Sequence, residues 1–113
     1  MMAKDHFKKW MVVLVNLDPT IGAEIKKTRP CLIISPDEAN RNLLTVIVAP
    51  MTSTVRHIPT RLPVQFDGVA GEICFDQMKA IDARRIVKIL GEIDQASRPL
   101  VTRSLMTLFD DVS

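Results

Sequence analysis

Val12-Val13-Leu14-Val15-Asn16-Leu17, followed at once by Asp18-Pro19-Thr20-Ile21-Gly22, decides how the chain is read. The first half, extended back to Met11, is rich in Val and Leu and reads as a central β-strand. The second half breaks it. The residue before a proline is pushed away from the helical region, and Gly22 turns tightly. A second apolar run, Cys31-Leu32-Ile33-Ile34-Ser35, is entered through Pro30 and reads as a neighbouring strand. A third, Leu43 to Ala49, is β-branched at Thr45, Val46, Ile47 and Val48, and Pro50 is expected to stop it. Between the first two lies the polar, cationic segment Gly22 to Pro30. Between the second and third lies a polar or short helical turn, Pro36 to Asn42, with its acids early.

Further along, Val55 to Pro59 is expected to be a loop leading to a strand at Leu62 to Phe66, since proline tolerates edges and bulges. Asp67-Gly68 is a turn. Glu72 to Phe75 reads as a strand interrupted by Asp76-Gln77, Met78 to Ile81 as extended chain, Asp82 to Arg85 as a charged turn, and Ile86 to Ile93 as the last strand. Leu100, Val101, Leu105, Leu108 and Phe109 recur near helical spacing, which predicts one amphipathic helix over about 97–110. Pro99 fits its first turn, and Ser97 is the expected cap. Short strands with varied turns and one terminal helix predict a mostly β fold, a small, strongly bent barrel. The absence of alternating 10–15-residue helices argues against a parallel α/β sheet. No linker divides the chain, and residues 1–113 read as a single domain.

A hydrophobic fraction of 47% excludes a disordered chain. Cys31 and Cys74 sit inside apolar runs without metal-ligand spacing and read as buried free thiols of a reducing cytosol. The run from Trp10 to Leu17 is too short to span a bilayer, so a soluble, cytoplasmic protein without membrane association is expected. Net charge is only +2, but it is unevenly spread. Residues 1–61 carry nine Lys/Arg against five Asp/Glu, and residues 62–113 carry six against eight. The positive half holds the polar loops, which suits an anionic ligand. No metal motif and no Gly-rich nucleotide loop is present, so no metal or cofactor is expected. Phe7, Trp10, Phe66, Phe75 and Phe109 are scattered, so a nucleic-acid site has to lean on charge, hydroxyls and backbone.

Arg29 is the strongest candidate for that chemistry, because its planar fork suits a phosphate bidentately. Pairing with Glu24 on the surface explains its presence equally well. Glu24 is the only strong base in the segment and suits proton transfer or orientation of Arg29. Lys26, Lys27 and Thr28 steer or contact a polyanion, or form a solvated face. Thr52, Ser53 and Thr54 offer hydroxyls at a strand end. His57 is nearby in sequence and suits an RNA contact or a proton relay, with an ordinary loop histidine as the plainer reading. Asp76, with Gln77 beside it, interrupts an apolar run and needs a donor. Base-edge recognition and structural hydrogen bonding are both open there.

Taken in order, Val12 to Pro19, Gly22-Ala23-Glu24, Thr28 to Ser35, Asn40, Val46 to Ser53, Gly71, Asp76-Gln77, Ile81-Asp82 and Arg85-Ile86 resemble the MazF/PemK (Kid) family of type II toxin endoribonucleases. The resemblance covers about residues 10–110. It implies an SH3-like barrel of the CcdB/MazF type, a homodimer, and a cognate antitoxin whose disordered tail folds onto the toxin. Through that antitoxin the complex binds operator DNA. The implied activity is metal-independent, sequence-specific cleavage of single-stranded RNA, often mRNA, leaving 2′,3′-cyclic phosphate and 5′-hydroxyl ends. Arg29 falls on the family's catalytic arginine, Thr52 on its catalytic threonine and Glu24 on a site glutamate. Asp76 falls on an acid that some members use for catalysis or RNA binding.

The chain departs from the pattern in three places. Cys74 stands where some members have an arginine, Lys9-Trp10-Met11 replaces an Arg-Gly-Asp, and Lys27 replaces a frequent glycine. A noncatalytic nucleic-acid-binding barrel, an inactive regulatory relative and a gyrase-directed toxin are the alternatives; Arg29 with Thr52 speaks against the last.

Overall fold

The computed structural model describes residues 7–18, 22 and 27–110. Seven strands and two helices follow in chain order: β1 (Met11–Asn16), β2 (Thr28–Ile33), α1 (Asp37–Asn42), β3 (Thr45–Thr52), β4 (Arg61–Phe66), β5 (Val69–Cys74), β6 (Lys79–Asp82), β7 (Ile86–Glu92) and α2 (Arg98–Phe109). Among the described residues the strand pairings are antiparallel, in the order β4-β5-β3-β2-β1-β7, with β6 also on β3. The path does not close on itself, so the mostly β fold is only loosely a barrel.

The apolar runs are continuous because the central strands are buried on both faces. Val13 and Val15 of β1, Cys31 and Ile33 of β2, and Val46 and Val48 of β3 enter one core, closed by Phe7, Ile81 and Ile86. The alternate residues Val12, Leu32, Ala49 and Met51 enter a second core with Ile73, Phe75, Ile93 and Val101. α2 covers this second core through Val101, Leu105 and Leu108.

Four local expectations are corrected. The second strand begins at Thr28, so Arg29 and Pro30 belong to β2 and pair with β1. The third strand runs through Pro50 to Thr52. On one side β3 pairs with β6 up to Val48 and with β5 from Met51 onward, and Pro50 falls in the gap, where its missing N–H breaks no ladder bond. The fifth strand begins at Val69, carried back by pairing with β4. Ser97 does not cap α2; its hydroxyl donates to Asp94 Oδ1 at 2.6 Å. That cap would contribute about 1 kcal/mol, less than the ~1.5–3 kcal/mol from burying Val101, so packing alone accounts for the helix.

Candidate active site

Arg29 and Thr52 come from neighbouring strands. The β2–β3 ladder ends at Cys31 opposite Pro50, and continuing that register two residues sets Arg29 opposite Thr52. Both line an open cleft of about 310 Å³, together with Ser53. Arg29 and Thr52 are half-buried, and Ser53 is exposed. The Thr54 N–H donates to Thr52 Oγ1 at 3.1 Å, which fixes the threonine side chain. The residues that line the cleft thus include one arginine and two hydroxyl-bearing residues, at or next to two strand ends. This arrangement can bind a phosphate and stabilise charge developing on its oxygens. Apolar groups, Val64, Phe66, Val69 and Leu90 among them, line much of the rest, together with Asp67 and Glu72.

Two residues given no role at the site from the sequence hold this geometry. Gly71 of β5 lies so close to β3 that a Cβ there would come within 2.3 Å of the Thr52 carbonyl oxygen. Its neighbour Glu72 is fully buried and pairs in register with Thr52. The Glu72 carboxylate accepts the Arg56 N–H at 2.9 Å and the His57 N–H at 3.1 Å. The Arg56 hydrogen bond first, and that from His57 after it, hold its pKa below the ordinary carboxylate value despite burial. Glu72 thus ties down the chain leaving Thr52. The available signal was an acid between a glycine and the apolar run Ile73-Cys74-Phe75.

The other candidates are dispersed. Thr54 is exposed beside the cleft, and His57 sits at φ +56° with its N–H on Glu72. Asp76, in a 3₁₀ turn with the half-buried Gln77, receives Arg61 Nε and Nη2, both at 3.2 Å, and the Thr60 hydroxyl at 3.3 Å. Burial pushes the Asp76 pKa up, but Arg61 and Thr60 outweigh it and hold it below the ordinary value. Arg61 lies directly across from Cys74 in the β4–β5 ladder, so its guanidinium reaches Asp76 from the adjacent strand.

Thr28 is exposed on β2 opposite Asn16. Lys27 adopts φ +69°, a left-handed conformation that suits glycine better, and its N–H donates to Asp18 Oδ1 at 2.9 Å. Glu24 and Lys26 lie outside the described residues. Arg85 donates to the carbonyls of Asn16 and Asp18, and Arg84 pairs with Asp82, so this turn is structural as its charges suggested.

Cys31 and Cys74 are buried free thiols, as expected. Burial raises their pKa values to about 12 and about 11, which removes them as thiolate nucleophiles near neutral pH. Among the described residues, no group of three His, Cys, Asp or Glu side chains is placed to hold a metal ion. Among them, too, no helix is long and apolar enough to cross a membrane.

The fold and cleft define a class of small antiparallel β-protein with an arginine and a threonine brought together on neighbouring strands at one cleft. Residues 8–109 match the family of PemK-like, MazF-like toxins of type II toxin–antitoxin systems, and the chain belongs to that family. It is 36% identical over 86 residues to the endoribonuclease PemK of Escherichia coli, a match spanning 72% of this chain and 65% of that protein. Among solved structures it is similar to MazF of Deinococcus radiodurans, with a TM-score of 0.80 and 26% identity, covering 90% of this chain and 94% of that one. It also shares its fold with an endoribonuclease from a mycobacterial species, solved in complex with its cognate antitoxin. That likeness has a TM-score of 0.76 and 22% identity, covering 89% of this chain and 92% of that one.

Proposed function

We propose that this chain is a toxin endoribonuclease that cleaves single-stranded RNA at the Arg29–Thr52 cleft. The observation that carries the reading is the meeting of Arg29, Thr52 and Ser53 in one cleft of a PemK/MazF-family fold. The reaction needs a phosphate held by donors and a nucleophile supplied by the substrate. The ribose 2′-oxygen attacks its own phosphorus, the bond to the 5′-oxygen breaks, and a 2′,3′-cyclic phosphate forms; DNA lacks the required hydroxyl. Arg29 stabilises the charge on the phosphoryl oxygens, while Thr52 and Ser53 hold the phosphate. Arginine stays protonated in proteins and is a poor base. The 2′-proton therefore goes to Glu24, and the leaving 5′-oxygen takes a proton from water while Arg29 keeps its charge.

The same reading makes the whole chain one toxin domain working as a cytoplasmic homodimer. It is neutralised by a cognate antitoxin, through which the pair reaches operator DNA. The relative solved with its antitoxin supports that partner class. Mapping 5′-hydroxyl ends in RNA exposed to the wild type and to Arg29→Ala tests the proposal. New ends are expected only with the wild type, and none at a site carrying a 2′-deoxyribose. RNA binding without new ends contradicts it and returns the chain to the class of noncatalytic binding proteins.

A further inference from the structure

The cleft has two chemically different ends. Arg29, Thr52 and Ser53 supply the phosphate end. Val64, Phe66, Val69 and Leu90 make an apolar wall that donates no hydrogen bond to an anion. Phe66 and Val69 pair across the β4–β5 turn, and Asp67, with φ +51°, stands between them on the cleft lining. The Phe66 ring is seated against the backbone of β7, where a Cβ on Gly91 would meet its Cζ at 3.3 Å. Val69 keeps 62% of its surface in water and belongs to neither core. Val64, Phe66 and Leu90 also pack against the second core, so Val69 is the wall residue whose side chain is left to the cleft.

We propose that the apolar end of the cleft takes one unstacked nucleobase next to the scissile phosphate, with Phe66 as the surface on which it stacks. The inference rests on the endoribonuclease reading. Bases of single-stranded RNA are read by being splayed out and stacked on aromatic side chains. Pockets of a few hundred Å³ with apolar walls and few polar groups suit such flat ligands. The occupant is a base rather than more backbone, because the Asp67 carboxylate beside Phe66 repels a second phosphate. The same carboxylate disfavours an acidic peptide. Phosphate at one end and base at the other fix the strand's register on the cleft, which is how a small site acquires sequence preference.

The test compares wild type, Phe66→Ala, Phe66→Leu, Phe66→Tyr and Val69→Ser in steady-state cleavage of one RNA oligonucleotide, in 5′-hydroxyl mapping on a mixed transcript, and in thermal melting. Phe66→Ala is expected to raise KM by roughly 5- to 150-fold. The preference for one base flanking the cut is expected to flatten. Phe66→Tyr retains both, and Val69→Ser raises KM without lowering the melting temperature. Should Phe66→Ala not fold, Phe66→Leu, which keeps apolar volume but lacks the ring, carries the same expectation. A folded Phe66→Leu that cuts the same sites with the parent KM overturns the base pocket while leaving the endoribonuclease reading intact. Altered self-association or peptide binding with unchanged cleavage also overturns it. A wild type that cuts no RNA instead overturns the reading on which the pocket rests.

Discussion

Gly71→Ala is the smallest change that strikes both stability and the reacting groups. The new Cβ would sit 2.3 Å from the Thr52 carbonyl oxygen and 3.2 Å from its carbon, whereas ordinary contact begins at 3.4 Å. The obstacle is backbone, so no side chain can swing away; β3 and β5 have to part by about 1 Å at the end of β3. Overpacking of this kind costs about 1–3 kcal/mol, offset by about 0.4–1 kcal/mol from restricting the unfolded chain. A net loss of roughly 1–2 kcal/mol lowers Tm by roughly 4–12 °C in a domain of this size. Thr52 moves with its own carbonyl, and a misplacement of about 1 Å at a reacting group costs about 100-fold in rate. Thermal melting and single-turnover RNA cleavage, run well below the lowered Tm, read the two effects separately. A variant that melts and cleaves like the parent refutes the reasoning. One that melts early but cleaves at the parent rate shows that the placement of Thr52 does not matter to the chemistry.

Glu72→Gln replaces an acceptor oxygen with an amide donor facing either Arg56 N–H or His57 N–H. It should speed hydrogen exchange at one or both of those amides and lower the cleavage rate; unchanged exchange would show that the clamp is unimportant. Asn40 is buried, donates to the Ser35 carbonyl at 3.1 Å and accepts from the Ser35 hydroxyl, which in turn accepts the Ile47 N–H at 3.0 Å. Asn40→Ala should cost about 1–3 kcal/mol in denaturant unfolding by leaving these groups unpaired. A loss under about 0.5 kcal/mol would contradict that network.

Acid should destabilise the fold through carboxylates whose folded pKa values are depressed. Their contribution is complete above the unfolded value and is lost as pH falls through the folded one. For Asp82, held down first by the Arg84 side chain, the window runs from 3.8 to about 2, and Asp76 adds to it below 3.8. Melting temperatures between pH 5 and 2 should fall less steeply for Asp76→Asn than for the parent. Parallel curves would assign the acid sensitivity elsewhere.

The strands were legible because β1, β2 and β3 carry apolar residues on both faces, a pattern that needs no knowledge of partners. Their ends were less so. Pro50 reads as a stop until the change of partner along β3 is known, and Thr28 to Pro30 read as loop until β1 is laid beside them. Arg29 and Thr52 were visible as residue types, and the fold brings them onto one cleft. The clamp by Glu72 was not visible, since its partners are backbone N–H groups fifteen and sixteen residues earlier. Asp76 was correctly expected to need a donor. That the donor is Arg61 depends on the β4–β5 register, which no local pattern encodes.

The central claim is that Arg29 and Thr52 act together on RNA in one cleft. It is tested most directly by single-turnover cleavage of one RNA by wild type, Arg29→Ala and Thr52→Ala at saturating protein, with melting curves alongside. The single variants are expected to fold, with rates that each fall by roughly 10²–10³-fold. The double variant should fall by less than the product of the two losses, as for groups that serve one transition state. Folded single variants that cleave at the parent rate would contradict it.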